Sequence, residues 1–168
     1  MNVNSDLIIL GAGQYGAVVK EIAESMELFD TISFLDDKNP IAVGKICEYE
    51  RLTEKYRYAF VAIGNPNVRA ELLQKLKSAG YTLATLISPK ACVSPLATVG
   101  GGSVIEPMAV VQANATVGEG CLVCAGAVIK HNATLENICY IDCGAVVIPD
   151  AVVHSKTKVE ANSVYRNQ

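Results

Sequence analysis

"ATVGEGCLVCAGAVIKHNATLENICYIDCGAVV", residues 115–147, keeps one beat throughout: Val117, Val123, Ile129, Leu135, Ile141 and Val147 fall on every sixth residue. The beat runs outward in both directions without slipping. Every sixth residue from Ile87 to Val159, thirteen in all, is Val, Ile or Leu. The residue four places after each, from Ala91 to Ser163, is Ala, Ser, Cys or Thr. A six-residue repeat of this kind predicts a parallel β-helix. Three hexads close one triangular coil. The aliphatic residue points into the prism, and the small one lies near the corner, where space is least. Coils stack at about 4.8 Å, so residues eighteen apart lie above one another. Ser103, Cys121, Cys139 and Thr157 form one such stack.

Upstream of Ile87 the pattern is different. "DLIIL" (6–10) is a short apolar run ending in glycine, as a buried parallel strand does. "GAGQYGAVVKEIAESM" follows, with Val18, Val19, Ile22, Ala23 and Met26 at helical spacing. "TISFLDD" (31–37) and "RYAFVAIG" (57–64) read as two more strands. In "NPNVRAELLQKLKSAG", Asn65 suits an N-cap, Pro66 the first helical position and Gly80 the stop. "YTLATLI" (81–87) reads as the last strand. The chain therefore divides into an α/β, Rossmann-like βαβ domain over 1–86 and a β-helix over 87–168.

Composition narrows the function classes. Apolar residues make up 51% of the 168 and charged residues 18%, with a net charge of −3. The mean hydropathy of +0.29 is high for a soluble protein, so the excess must be buried in something regular. No apolar run is long enough to span a bilayer. There is no basic tract for nucleic acid. "MNVNSDLIILGAG" lacks the basic start and cleavage site of a signal peptide, which reads as cytoplasmic. Neither nucleic acid nor membrane is expected as a partner.

Six cysteines are present, among them a CxxC (Cys121, Cys124) and a CxxxC (Cys139, Cys143). The spacings do not match as zinc pairs do. The repeat already explains Cys121 and Cys139 as small residues. No metal is expected.

Gly11, Gly13 and Gly16 form GxGxxG between a strand and a helix. Such glycines allow a tight turn and let a phosphate approach the helix N-terminus. Asp36 and Asp37 close the next strand, where a dinucleotide site keeps its ribose-binding acid. Taken alone this suggests NAD, or a glycine turn that only packs helix on strand. A domain of about 86 residues is, however, short for a full dinucleotide fold.

"GAGQYGAVVKEIA", "FLDD", "VAIGNPNVR" and "GAVIKHNATLENICYIDCGAVV", in this order and spacing, resemble the bacterial sugar acyltransferases. That family includes sialic acid O-acetyltransferases and nucleotide-amino-sugar N-acetyltransferases. The resemblance implies that the β-helix is left-handed and that the molecule is a homotrimer. It implies acetyl-CoA as acyl donor and a UDP-sugar or sialic-acid-type acceptor, bound between the first domain and a β-helix. Gly11, Gly13, Gln14, Tyr15, Asp36, Asp37, Ile63, Gly64 and Asn65 would line the sugar-nucleotide site. Gln14-Tyr15 stands where the family usually has Gly-His.

By the same resemblance His131 is the general base that takes a proton from the attacking amine or hydroxyl. As the third residue of its hexad, it is expected to project from a prism face. Asn132 replaces the family's orienting acid, with Glu136 and Asp142 the acids at hand to substitute. Tyr140, Gly144 and Pro149 belong to the implied acetyl-CoA site. Tyr140 stands in place of a second histidine. Pro149 replaces a glycine whose N–H faces the thioester oxygen, and proline has no N–H to give. The family also continues for a further coil or more past the position of Gln168. These departures leave a second reading open: a catalytically impaired binding or regulatory protein on the same scaffold.

Overall fold

The computed structural model describes residues 5–167. Two compact units divide at the junction between Leu86 and Ile87.

The first unit is a four-stranded parallel sheet with two α-helices. Strands β1 (Leu7–Leu10), β2 (Ile32–Leu35), β3 (Tyr58–Val61) and β4 (Thr82–Leu83) lie in the order β2-β1-β3-β4. Helix α1 (Gln14–Ser25) connects β1 to β2, and α2 (Pro66–Ser78) connects β3 to β4. β1 is fully buried, as its unbroken apolar run requires. Gly16, Val19, Ile22 and Ala23 are the buried side of α1. Val18, counted with that stripe from its spacing, is 40% exposed. Asn65 caps α2 as expected, its Oδ1 accepting from Asn67 N at 3.0 Å and Val68 N at 3.2 Å.

The run at 81–87 is not one strand. Thr82–Leu83 joins the first sheet, whereas Leu86–Ile87 opens the β-helix. The run carries no glycine or proline, and its two threonines, Thr82 and Thr85, are as common in strands as its apolar residues, so no residue signals the break.

The second unit is a left-handed parallel β-helix of fourteen two-residue strands among the described residues. They stack into three faces. Face one runs from Leu86–Ile87 to Lys158–Val159, face two from Cys92–Val93 to Val164–Tyr165, and face three from Thr98–Val99 to Val152–Val153. Each pairing joins residues eighteen apart, as in Val128↔Val146 and Leu122↔Tyr140. Backbone hydrogen bonds tie coil to coil, for example Leu122 N to Cys139 O at 2.9 Å. The six aliphatics of residues 117–147 are all buried. Full burial of such a side chain contributes about 1.5–3 kcal/mol, so the in-phase column dominates the stability of the unit.

Cys121 and Cys139 are fully buried, as the small-residue reading requires. Their thiols donate to backbone carbonyls of the following coil: Cys121 Sγ to Glu136 O at 3.0 Å, Cys139 Sγ to His154 O at 3.3 Å. Ser103 in the same stack donates to Gly118 O at 2.8 Å.

The corners follow the same period. Every sixth residue from Gly102 to Asn162 has φ between 55° and 70°. Glycine and asparagine tolerate that left-handed conformation best. Met108, Ile138, Asp150 and Lys156 adopt it as well.

Candidate active site

In the first unit, the loops after β1, β2 and β3 leave the carboxyl ends of the strands. The strand order reverses direction between β1 and β3, which makes the crevice there the expected ligand position in an open parallel sheet. Gly11–Tyr15 follows β1 and Ile63–Asn65 follows β3, so seven of the nine predicted sugar-nucleotide residues flank this crevice.

The three glycines have different reasons to be there. Gly11 has φ +104°, and a Cβ on it would lie 2.9 Å from Ala62 O. A Cβ on Gly16 would collide with the Gly11 carbonyl. Both are therefore required by packing. Gly13 has open space around it and caps α1 with no side-chain bond. Gly64 is open as well. Of the glycine motif, Gly13 alone is left for a ligand to explain, at the end of a helix whose first turn holds no acid.

Asp36 has a structural task. Oδ2 accepts from Ala12 N at 2.8 Å, and Oδ1 from Lys38 N and Asn39 N, each at 2.8 Å. These backbone donors, Ala12 first, hold its carboxyl below the usual range. Asn39 Nδ2 donates to Ala12 O at 2.6 Å. Asp36 thus clasps the glycine loop, and its oxygens are turned to the chain. Asp37 is exposed, with Oδ1 accepting from Ile46 N at 3.1 Å. Arg69, which the sequence reading passed over, is fully buried and donates from Nη1 to Ile63 O at 3.0 Å and Gly64 O at 2.8 Å. Its signal was an arginine one turn into a helix that follows a glycine loop. Beside α1 a cavity of about 360 Å³ is lined by Ala12, Ala17, Lys20, Phe34, Asn39 and Ile41, among others.

In the β-helix, His131 lies in a corner, not on a face. The strand ends at Ile129, and His131-Asn132 is the turn between faces two and three. Its backbone N–H donates to Gln112 Oε1 at 3.1 Å. Asn132 has φ +60°, and its amide belongs to a column of turn residues one coil apart. Asn114 Nδ2 donates to Asn132 Oδ1 at 3.3 Å, and Asn132 Nδ2 donates to Asp150 Oδ1 at 3.1 Å. A carboxylate only accepts, so Asp150 fixes which way the Asn132 amide points. The same Nδ2 lies 3.4 Å from His131 Nδ1. This makes Nδ1 the acceptor and places the proton of a neutral imidazole on Nε2.

Neither acid considered from the sequence reaches His131. Asp142 lies 3.4 Å from Lys158 Nζ. Glu136 Oε2 accepts from Ser155 N at 2.8 Å and from its hydroxyl at 3.0 Å. Glu136 Oε1 lies 3.3 Å from His154 Nδ1. Ser155 first, then His154, hold the Glu136 carboxyl below its usual range. The nearby acid is instead Asp150, eighteen residues past Asn132. His154 is the second site the sequence reading missed. Glu136 only accepts, so Nδ1 is the donor here and the lone pair of a neutral ring lies on Nε2. A cavity of about 810 Å³ opens beside it, lined also by Val152, Val164, Tyr165, Arg166 and Asn167. The spacing of eighteen between Glu136 and His154 was the available signal.

Pro149 stacks one coil from His131, with Asp150 N donating to His131 O at 3.3 Å. Tyr140 lies on face one and Gly144 at the corner between faces one and two, with φ +67°. His131, Asn132 and Pro149 are thus grouped at one edge of the prism. Tyr140 and Gly144 belong to another part of it. The Tyr140 hydroxyl bonds to Cys124, and burial, then this thiol, pushes the phenol above its usual range. Cys124 and Cys143, with Glu106, are the side chains placed to hold a metal among the described residues.

Residues 6–76 match the family described as the PglD N-terminal domain, and 96–131 match the bacterial transferase hexapeptide family (six repeats). The acetyltransferase domain of PglB from Neisseria gonorrhoeae FA1090, solved in complex with acetyl coenzyme A, is 30% identical. It superposes with a TM-score of 0.94, over 99% of this chain and 84% of that one. The chain belongs to the bacterial sugar acyltransferases. Within this acyltransferase family, UDP-N-acetylbacillosamine N-acetyltransferase of Bacillus subtilis (strain 168) is 29% identical over 109 residues. That match takes in 59% of this chain and spans only 50% of the curated relative. A perosamine N-acetyltransferase variant from Caulobacter crescentus, solved with CoA and GDP-perosamine, is 23% identical with a TM-score of 0.86, over 93% and 77% of the two chains. At that identity it shows a shared fold. No helix among the described residues is long and apolar enough to cross a membrane.

Proposed function

We propose that the chain transfers an acetyl group from acetyl-CoA to the amine of a nucleotide-linked amino sugar, with His131 as the general base. The observation that carries this reading is the likeness, over almost the whole chain, to an acetyltransferase domain solved with acetyl-CoA. The nucleotide belongs in the first unit, at the crevice between β1 and β3. There Gly13, Gln14 and Tyr15 open α1, and Asp36 and Arg69 hold the loops from behind.

The step is nucleophilic addition to a thioester. The amine nitrogen attacks the thioester carbonyl carbon, and a C–N bond forms. A proton passes from that nitrogen to the His131 imidazole. The tetrahedral intermediate then expels CoA, breaking the C–S bond, and the sulfur recovers the proton. General bases of this kind contribute 10²–10⁴-fold. Turnover of a UDP-linked amino sugar, followed by release of the CoA thiol, tests the reading. His131→Ala should lower kcat by about that factor. An unchanged rate in His131→Ala with a collapse in His154→Ala moves the base to the Glu136–His154 pair.

His131 and Tyr140 sit on different parts of one prism, so a groove using both takes them from two copies of the chain. We infer a homotrimer of adjacent β-helices, in keeping with the closed symmetry usual for such assemblies. Light scattering that finds a monomer at micromolar concentration counts against it.

A second reading has specific support. Pro149 brings no N–H to the thioester oxygen, and the Asp150–Asn132 column favours the tautomer with Nε2 protonated. Both fit a protein that binds acetyl-CoA and turns it over poorly. Calorimetry with tight acetyl-CoA binding, alongside negligible turnover, selects this reading.

A further inference from the structure

We propose that Glu106, Cys124 and Cys143 form a site for a borderline-soft divalent cation of the Zn²⁺ class. The site adjoins Tyr140, which the reading above places in the acetyl-CoA groove, and the acyl transfer itself needs no metal.

The register of the β-helix assembles the three donors. Glu106 follows the face-one strand Val104–Ile105, and Cys124 follows Leu122–Val123, one coil on. Cys143 is one residue past the equivalent place on the next coil, in the turn after Tyr140–Ile141. A carboxylate oxygen and two Sγ atoms from three successive coils therefore converge within 4.8 Å of one another. Three protein donors with a fourth position left to water is an established zinc arrangement. With Zn–S bonds of about 2.3 Å, tetrahedral sulfurs sit about 3.7 Å apart. Closing to that separation asks for about 1 Å of movement at most. Cys143 is exposed on its turn and can supply the movement, while Cys124 is buried on rigid coils.

Glu106 gives the independent reason to expect a cation. Its side chain is 6% exposed, yet among the described residues no Lys or Arg lies within ion-pair distance of it. One oxygen accepts from Ala125 N at 2.9 Å, and the carboxylate also accepts from the Cys124 thiol. A buried carboxylate costs several kcal/mol unless it is compensated, and what faces it here is two thiols. Two thiolates and a carboxylate select a metal of the zinc type over Mg²⁺ or Ca²⁺, which prefer all-oxygen sites. The Tyr140 hydroxyl, bonded to Cys124, is the outer partner that such ligands commonly have.

The CxxC and CxxxC spacings concealed this. The fold sends Cys121 and Cys139 into the prism and turns Cys124, which is buried, and Cys143, which is exposed, out of it, nineteen residues apart. The sequence paired each of the outer cysteines with the wrong neighbour.

The test uses the reduced, chelator-treated full chain and Co²⁺ as a spectroscopic probe, with Zn²⁺ competing. One equivalent of Co²⁺ should give tetrahedral d–d bands and a thiolate-to-cobalt charge-transfer band, both bleached by one equivalent of Zn²⁺. Cys143→Ser is the main variant because the residue is exposed and the fold does not rely on it. It should weaken binding by about 100-fold or more, and Glu106→Gln by about 10- to 100-fold. Cys47→Ser and Cys92→Ser should leave the spectrum and affinity unchanged. A wild-type protein that develops no thiolate–cobalt band overturns the proposal. So does a band that survives Cys143→Ser, or that disappears in Cys47→Ser or Cys92→Ser. None of these readouts depends on acetyl transfer.

Discussion

Exchanging Asn132 and Asp150 should convert His131 into a stronger base. In the native corner the Asn132 amide has its NH₂ side held by Asp150 at 3.1 Å and its oxygen by Asn114 at 3.3 Å. Turning the amide over would set its oxygen against a carboxylate, so the N–H side is the one that meets His131 Nδ1. That contact, at 3.4 Å, is long and contributes about 0.5 kcal/mol. It nevertheless favours the imidazole with Nε2 protonated, the form that cannot accept a proton outward. In Asn132→Asp/Asp150→Asn the column keeps its donors and acceptors. The new amide at 150 donates to the new carboxylate at 132, and Asn114 still donates to it. The carboxylate now accepts from Nδ1–H and frees Nε2. A hydrogen bond to a charged group is worth about 1.5–3 kcal/mol. The corner is exposed, so the low end applies. After subtracting the native contact, about 1 kcal/mol remains, or about 5-fold in kcat/KM. The tautomer itself is read by long-range ¹H–¹⁵N correlation of the imidazole without substrate. Wild type should show the proton on Nε2, and the double variant on Nδ1. A wild-type spectrum with the proton on Nδ1 would refute the argument, whatever the kinetics. A double variant that changes tautomer without gaining rate would separate the corner from the chemistry.

Three further outcomes follow from other contacts. Asp36→Asn replaces the acceptor of the Ala12 N–H with an amide donor, and should cost about 1–2 kcal/mol in urea unfolding at pH 7. Asp36 is held below its ordinary 3.8, so its contribution is complete above that value and is lost as pH falls through its lower folded value. The difference from wild type should therefore shrink in acid, and a gap that does not narrow at all as pH falls below 3.8 contradicts the clasp. Pro149→Gly returns a backbone N–H to the coil beside His131. If that N–H meets the thioester oxygen, kcat should rise by up to about 100-fold, measured by CoA release, at a stability cost of about 1 kcal/mol. Gly118→Ala would bring a Cβ to 2.8 Å from the Glu136 carbonyl carbon. It should destabilise the β-helix by more than about 2 kcal/mol, seen as a lower Tm.

The interior of the β-helix was legible because burial acts on residue type. A column that admits only Val, Ile or Leu leaves a period of six in the sequence. The corners were less legible because their side chains answer to the neighbouring coil, and that neighbour lies eighteen residues away. Hence Asp150 escaped notice beside Asn132, and His154 beside Glu136, while Glu136 and Asp142 drew attention only by closeness in sequence. Helix α2 was readable from Asn65, Pro66 and Gly80 because capping is local. The glycine motif was readable as a turn, but the division of labour among Gly11, Gly13 and Gly16 depends on Ala62 and the Gly11 carbonyl, which only the folded loop brings near. The break between Leu83 and Leu86 left no trace, since no glycine or proline marks it and both halves of the run are built from strand-forming residues.

The stacked corners also set a rule for how this chain can change length. Inserting or deleting six residues keeps every aliphatic in the core, yet moves everything downstream by one edge of the prism. Placed between Asn132 and Asp150, it would leave a folded protein whose His131 corner no longer stands over Asp150. A change of eighteen residues adds or removes one whole turn and keeps each edge's residues on their edge. Tandem duplication in units of eighteen is thus the neutral path for growth in such a molecule, and a slip of six is the mutation that preserves the scaffold while dismantling its chemistry.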